Sequence, residues 1–180
     1  LPYMQMRVVA LDENGNATDR EMPPGEQGMV LFKSPNVFSG FVDPADNAKA
    51  FTADGWLATG DLGWIDSEER LNLTGRSKDL IISGGSNIYP REIEEVLYEH
   101  PAILEAAVIG LPHPIHGEEV AAAVALKLGA SATAEEIRDY IKARVAAYKY
   151  PRHVWIVDAL PKSATGKVLK REIKPPAGLV

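Results

Sequence analysis

The 180-residue sequence contains no cysteine and no long uninterrupted apolar run. The lack of cysteine excludes disulfide bonds and thiolate chemistry, and it fits a reducing compartment. Every apolar run is far shorter than the roughly 18 residues that a membrane-spanning helix needs, and no signal segment opens the chain. We therefore expect a cytoplasmic protein without a membrane span.

Two familiar phosphate-binding motifs are also missing. The stretch PKSATGKVLKR, residues 161–171, has proline where a P-loop needs its first glycine and valine where it needs serine or threonine. The Gly84-Gly85 pair is followed by serine and tyrosine at the two positions where a dinucleotide fingerprint needs glycine. If the chain binds a nucleotide, it does so with another architecture.

The composition is that of a globular protein. With 46% hydrophobic and 24% charged residues, the chain can form one domain or two small ones. It has no initiating methionine and begins as if within a strand, so we expect a fragment of a longer protein.

Charge is distributed unevenly. The net charge is −6, and residues 1–75 hold 12 of the 25 acidic residues but only 5 of the 19 basic ones. Between residues 149 and 174 the only acids are Asp158 and Glu172, whereas the basic residues are Lys149, Arg152, Lys162, Lys167, Lys170, Arg171 and Lys174. This basic end suits either a small anionic ligand or a solvated surface. The overall charge opposes binding of nucleic acid.

Turn residues and hydrophobic periodicity predict mainly strands in the first part of the chain and a mixture of helices and strands in the second. Helices are expected after Asp43-Pro44, after Pro90, over residues 134–148 after the capping box of Thr133 and Glu136, and over residues 168–174. The predicted strands are residues 6–11, 28–32, 56–59, 62–66, 71–75, 79–83, 106–111, 120–126 and 153–158.

The order of these elements predicts an α+β fold for the second part, with a small three-stranded sheet and helices packed on it. The first part is predicted to be an all-β remnant of another domain. We place the boundary between residues 76 and 77, which gives the domains 1–76 and 77–180.

Three ordered motifs carry a family resemblance. GWLATGDLG at residues 55–63, TGRSKDLIISGGSNIYPREIE at 74–94 and PKSATGKVLKR at 161–171 resemble the closing motifs of the adenylate-forming (AMP-binding) enzyme superfamily. This superfamily includes acyl-CoA synthetases, the adenylation domains of peptide synthetases and firefly-type luciferases. The resemblance implies that residues 1–76 end a large N-terminal AMP-binding domain and that residues 77–180 form the mobile C-terminal domain.

The resemblance also implies a reaction and a nucleotide site. The parent would be an AMP-forming acyl-CoA synthetase, which joins a carboxylic acid to ATP, releases pyrophosphate and transfers the acyl group from the adenylate to coenzyme A. Asp61 would bind the ribose hydroxyls and Arg76 the nucleotide, while Lys167 would be catalytic and bridge the acyl carboxylate and the α-phosphate. Taken alone, each of these residues is more typical of a turn, a cap or a surface ion pair.

The remaining site residues concern domain movement and coenzyme A. The resemblance implies that Lys78 is the hinge and that the main chain of Gly84 and Gly85 lines the coenzyme A channel. The basic end suggests Arg152 as a further ligand for the phosphates of coenzyme A. Taken alone, Lys78 is a loop lysine and Gly84-Gly85 a hairpin turn.

ATP, coenzyme A, a small carboxylic acid and Mg²⁺ accompanying ATP are the ligands that the resemblance implies. No metal site within the chain is predicted, because His113, His116 and Glu118 lack the spacing of a zinc motif. The family's phosphate loop and acyl pocket lie upstream of residue 1, in an N-terminal domain missing here, so the fragment alone should be inactive and the acid cannot be identified. The alternatives are an adenylation domain that loads a carrier protein and a non-catalytic binding module.

Overall fold

The computed structural model describes residues 3–179, which form two compact units, one up to Lys78 and one from Asp79 onward. The helices of the described residues are α1 (Pro44–Ala50), α2 (Pro90–Tyr98) and α3 (Ala134–Lys142). The strands are β1 (Gln5–Leu11), β2 (Ala17–Glu21), β3 (Gly28–Lys33), β4 (Leu57–Ile65), β5 (Leu71–Arg76), β6 (Ile81–Ser83), β7 (Ser86–Ile88), β8 (Ile103–His113), β9 (Gly117–Leu126) and β10 (His153–Val157).

The first unit is a five-stranded antiparallel sheet with the strand order β2-β1-β3-β4-β5. Its buried cluster is formed by Val9, Met29 and Leu31, on the central strands β1 and β3. Helix α1 begins as predicted, because the Asp43 side chain accepts a hydrogen bond of 2.9 Å from the Ala45 N–H and proline occupies the first turn. The predicted all-β segment therefore also contains one short helix.

The second unit corrects the predicted three-stranded sheet. Strands β8, β9 and β10 do form a sheet, in which β8 is antiparallel and β10 parallel to β9. A hairpin of β6 and β7 extends this sheet to five strands and joins β9 through the pair Ser83–Gly117. Each hairpin strand has only three residues, which is too short for hydrophobic periodicity to define a second strand beside the predicted one.

The central strand β9 is covered on both faces. Val120, Ala122 and Val124 belong to one buried cluster with Ile93 and Leu97 of α2 and Ile137 and Ile141 of α3. Ala121 and Ala123 belong to a second cluster with Trp155 and Leu160, against which Val168 and Ile173 of the C-terminal segment pack. Because successive strand residues face opposite sides, the continuous apolar run of β9 serves two packing layers and so positions the C-terminal segment.

Helix boundaries differ from the prediction mainly at the C-terminal ends. The capping box of Thr133 and Glu136 starts α3, but the helix ends at Lys142, earlier than expected. The predicted last helix is reduced to a single 3₁₀ turn, Lys170–Glu172. None of the helices within residues 3–179 has the length and apolar character required to cross a membrane.

Candidate functional site

Asp61 and Arg76 form a pair on two neighbouring strands of the first unit. They are directly opposite one another in β4 and β5, and Nε of Arg76 lies 3.0 Å from Oδ1 of Asp61. The Asp61 side chain is 31% exposed and that of Arg76 55% exposed, so solvent reaches both. An exposed pair of this kind contributes at most about 1 kcal/mol. A ligand can therefore displace it at little cost.

The backbone of Asp61 is held from the next strand. The Thr59 hydroxyl donates a hydrogen bond of 2.8 Å to the carbonyl of Val30 in β3 and accepts one of 3.0 Å from the Asp61 N–H. The register between β4 and β5 shifts immediately after Asp61, between Leu62 and Gly63. A bulge at this point redirects the strand, so the Asp61 carboxylate sits on a fixed backbone beside an irregularity.

Lys78 lies in a short 3₁₀ turn, Ser77–Asp79, at the end of the first unit. The side chain is exposed. Within the described part of the chain it makes no side-chain hydrogen bond or ion pair. Nothing in its surroundings therefore fixes the Lys78 side chain.

Gly84 and Gly85 form the two-residue turn of the β6–β7 hairpin. Their φ angles are +56° and +79°, which is the pattern of a type I′ turn and explains two glycines at these positions. The Gly84 N–H donates a hydrogen bond of 2.9 Å to the His116 carbonyl at the end of the β8–β9 connection. The turn is otherwise exposed.

A cleft of about 240 Å³ lies beside this turn in the second unit. Arg152 faces it, and its guanidinium stacks 3.7 Å from the centroid of the Tyr150 ring. One terminal nitrogen of Arg152 donates to the Ala147 carbonyl at 3.2 Å, while the other is buried without a hydrogen-bond partner among the described residues. The cleft is lined by Ser83, Gly84, Ser86, His116, Glu119, Val120, Tyr148, Tyr150 and Arg152.

Lys167 lies at the end of a small closed loop. The Ser163 N–H donates to the Lys167 carbonyl at 2.8 Å, and the Lys167 N–H donates to the Ser163 hydroxyl at 3.2 Å. Gly166, with φ of +81°, completes the turn. The loop is thus closed by its own hydrogen bonds, and the Lys167 side chain is exposed. Lys167 does not line the cleft that contains Arg152.

Two ion pairs attach this loop to the body of the second unit, one on each side of Lys167. Lys162 pairs with Glu105, which also accepts a hydrogen bond of 3.4 Å from the Leu160 N–H. On the other side, Lys170 lies 2.7 Å from Glu94. Neither glutamate is among the site residues predicted from the sequence. Glu94 falls within the second motif, but only the three-dimensional structure shows that it faces the third motif.

Three of the seven basic residues at this end of the chain pair with sequence-distant glutamates inside the second unit. Glu92 lies 2.7 Å from Nζ of Lys149, in addition to the pairs of Lys162 and Lys170. Burial lowers the pKa of Lys149, but the hydrogen bond and charge of Glu92 outweigh it and raise this pKa above its ordinary value. Lys167 and Lys174 make no ion pair within residues 3–179.

The Lys162–Glu105 pair gives a testable pH dependence. The hydrogen bond from Lys162 lowers the pKa of Glu105 below its ordinary value of 4.5. The ion pair therefore stabilises the fold fully above pH 4.5, and this stabilisation is lost as the pH falls through the lowered pKa. Glu105→Gln is expected to reduce the free energy of unfolding at pH 7 by about 1 kcal/mol and by less at pH 3. Urea unfolding at both pH values measures this difference. The exposed Glu99→Gln is the control, and an equal loss at both pH values would exclude the ionic contribution.

The histidines and carboxylates of the described residues do not form a metal cluster. Within residues 3–179, no three histidine, aspartate or glutamate side chains group closely enough to hold a metal ion. His113 and His116 stack with ring centroids 4.7 Å apart, and Glu118 instead accepts a hydrogen bond from Ile82.

Comparisons with known proteins agree with these motifs. Residues 92–167 match the family described as the AMP-binding enzyme C-terminal domain. A long-chain-fatty-acid–CoA ligase from Bacillus subtilis is 45% identical over 150 residues, which cover 83% of this chain and 27% of the relative. Curated relatives of this kind are acyl-CoA and aryl-CoA ligases.

Solved structures support the same relationship. The o-succinylbenzoate CoA synthetase MenE from B. subtilis, in complex with its acyl-adenylate intermediate, is 37% identical with a TM-score of 0.84, over 97% of this chain and 34% of that one. ATP-bound MatB from Rhodopseudomonas palustris is 39% identical with a TM-score of 0.87, over 95% of this chain and 33% of that one.

The chain spans less than a third of the length of the curated relatives that it matches, and about a third of these solved structures. The resemblance predicted from the three motifs is confirmed. Residues 92–167 belong to the AMP-binding enzyme C-terminal domain family, and the chain is related over most of its length to CoA ligases of the adenylate-forming class.

Proposed function

We propose that the chain is the C-terminal portion of an AMP-forming acyl-CoA ligase, with its domain boundary between residues 76 and 77. The observation that carries this proposal is Lys167. It is an exposed cation on a closed, doubly attached loop, and the neighbouring lysines 162 and 170 are neutralised by glutamates. Such an arrangement presents one positive charge at a defined place to an anionic reaction centre.

The first half-reaction would use the Asp61–Arg76 pair and Lys167. The two oxygens of Asp61 can accept hydrogen bonds from both ribose hydroxyls, and Arg76 can then turn its guanidinium toward the nucleotide. A carboxylate oxygen of the acid attacks the α-phosphorus, and the bond to pyrophosphate breaks. The Lys167 ammonium would stabilise the negative charge that develops between the two anions. Mg²⁺ bound to ATP supplies further charge neutralisation.

The second half-reaction would use the cleft beside the Gly84-Gly85 turn. The thiol of coenzyme A attacks the acyl carbonyl, and AMP leaves. Glycines at the turn allow the pantetheine chain to approach the backbone closely. The Arg152 guanidinium, which lines this cleft, can donate to a phosphate of coenzyme A. We propose coenzyme A as the acceptor, rather than a carrier protein.

Lys78 is proposed as the hinge between the arrangements that serve the two half-reactions. Proline at this position locks φ and disfavours the helical conformation of Ser77, so Lys78→Pro in the full-length ligase should affect the two half-reactions unequally. We expect the ratio of their rates to change by more than about tenfold. Lys78→Ala is the control and should leave the ratio within about twofold. An unchanged ratio in Lys78→Pro would show that residue 78 is only part of a loop.

The proposal as a whole is tested by exchange of labelled pyrophosphate into ATP. The full-length ligase that carries this chain should show exchange only with a carboxylic acid present, and adding coenzyme A should yield a thioester. The isolated 180-residue chain should show no exchange, because it spans only about a third of the related solved ligases and the resemblance assigns the family's phosphate loop and acyl pocket to the N-terminal domain. Acid-independent exchange, or a product other than the CoA thioester, would contradict the proposal.

A further inference from the structure

The carboxylate of Glu118 joins two strands that the sheet itself joins only weakly. Glu118 lies in β9, and its Oε2 accepts a hydrogen bond of 2.8 Å from the Ile82 N–H in β6. Backbone pairing between β6 and β9 is limited to the pair Ser83–Gly117. The side chain of Glu118 thus extends this connection by one hydrogen bond that the strand ladder does not supply.

This hydrogen bond acts on the hairpin that carries the Gly84-Gly85 turn. At its base the hairpin is anchored by Ile81 and Ile88, which are fully buried. Near its tip it is held by the Ser83–Gly117 pair and by the Gly84 N–H bond to His116. The Glu118 contact lies between the base and the tip. Its loss would leave the tip held by the Ser83–Gly117 pair and by the Gly84 N–H bond to the His116 carbonyl.

Gly110 in β8 provides the room for this carboxylate. Gly110 pairs with Val120 across the ladder, which places it diagonally opposite Glu118. A Cβ atom at position 110 would lie 2.6 Å from Oε1 and 2.8 Å from Cδ of Glu118. The φ of Gly110 is not positive, so the backbone conformation does not require glycine here. A side chain at position 110 would instead have to displace the Glu118 carboxylate.

We propose that Glu118 and Gly110 together position the Gly84-Gly85 turn, and that Glu118 is thereby a positioning residue for attack by coenzyme A. The structural part of this proposal stands on the contacts above. Its catalytic part rests on the proposed function. Small displacements of groups that orient a reactant slow a reaction strongly, so a tilt of this turn should affect the thiol step and leave adenylate formation largely unchanged.

Amide hydrogen exchange on the 180-residue chain tests the contact itself. Glu118→Ala should raise the exchange rate of the Ile82 N–H by at least roughly tenfold. Glu118→Gln retains an oxygen acceptor and should keep this rate within about threefold of the wild type. Unchanged exchange in Glu118→Ala would overturn the proposal, because the contact would then not restrain the hairpin.

A double-mutant cycle tests the role of Gly110. Gly110→Ala in the wild-type background should accelerate exchange at Ile82 as much as Glu118→Ala does, because the new Cβ displaces the carboxylate. In the Glu118→Ala background the same change should alter exchange by less than about twofold, since nothing remains to be displaced. Equal effects of Gly110→Ala in both backgrounds would overturn the link between the two residues.

The half-reactions of the full-length ligase test the catalytic consequence. In Glu118→Ala, thioester formation from supplied acyl adenylate should fall at least roughly tenfold while adenylate formation stays within about threefold, and Glu118→Gln should restore the thioester step. Glu95→Ala, which removes an exposed pair with Arg91 on α2, is the control and should change neither step. Equal losses in both steps would reduce Glu118 to a stabilising residue. Absence of adenylate formation in the wild type would instead overturn the proposed function. The amide hydrogen-exchange data would still show whether Glu118 restrains the hairpin.

Discussion

Replacing Lys167 with alanine in the full-length ligase is expected to slow adenylate formation by about 10²–10³-fold, the usual effect of removing one preorganised electrostatic stabiliser. Thioester formation from supplied acyl adenylate should stay within about threefold of the wild type. The difference arises because two anions, the carboxylate and the α-phosphate, must approach one another only in the first step. Pyrophosphate exchange and single-turnover thioester formation measure the two steps separately.

Lys174→Ala is the matched control for this experiment. Lys174 is exposed, lies seven residues further along the chain and makes no ion pair within residues 3–179. Its removal changes net charge by the same amount and should leave both steps within about twofold. Parallel losses in both half-reactions of Lys167→Ala, or equal effects of the two substitutions, would show that Lys167 contributes only to the general charge of the surface.

Asp61→Ala should raise the KM for ATP by about 10²-fold or more, because two charge-assisted hydrogen bonds to the ribose would be lost at about 1.5–3 kcal/mol each. Arg76, which pairs with Asp61 at 3.0 Å, would also lose its partner. The KM for the carboxylic acid should change much less. Steady-state kinetics with each substrate varied in turn distinguish these effects. The KM for ATP of Asp61→Asn should lie between that of the wild type and that of Asp61→Ala.

Asp66→Ala provides the control for Asp61. Asp66 lies in the turn between the same two strands, and hydrogen bonds led by the Arg70 backbone N–H lower its pKa to about 2. This carboxylate is already engaged in the turn and has no proposed contact with ATP. We expect Asp66→Ala to reduce stability and to leave the KM for ATP within about twofold. A comparable rise in KM for both variants would indicate a general effect on the sheet instead of a ribose contact.

Local signals in the sequence were sufficient for several elements of the fold. The capping box of Thr133 and Glu136, the cap of Asp43 and the apolar face of α2 depend on residues within one or two turns of each other. The apolar run of β9 was also recognised as a buried strand, because no polar residue interrupts it.

Elements that depend on long-range pairing were missed. Strand β2 has the polar sequence ATDRE and is mostly exposed, so only its pairing with β1 makes it a strand. The hairpin of β6 and β7 is too short to show periodicity, and its attachment to β9 involves residues more than 30 positions away. The three-stranded sheet was wrong for this reason.

The candidate site likewise combines residues with local sequence signals and partners that are distant in the sequence. The motif residues could be named because each lies within a recognisable stretch. The partners that organise them could not, since Glu92, Glu94 and Glu105 are 55 or more positions from the lysines that they neutralise. Counting charges along the sequence therefore does not show which of the basic residues are paired, and it does not single out Lys167.

A chimera tests the central claim most directly. In the B. subtilis o-succinylbenzoate CoA synthetase, the matching third of the enzyme would be replaced by this chain, and acid-dependent exchange and thioester formation would be measured. The account predicts that a folded chimera carries out both steps on the carboxylic acid used by the o-succinylbenzoate CoA synthetase. Lys167→Ala in the grafted chain should slow adenylate formation by about 10²-fold or more. A chimera with the parent's melting temperature but no acid-dependent exchange, or one in which Lys167→Ala has no effect, would contradict it.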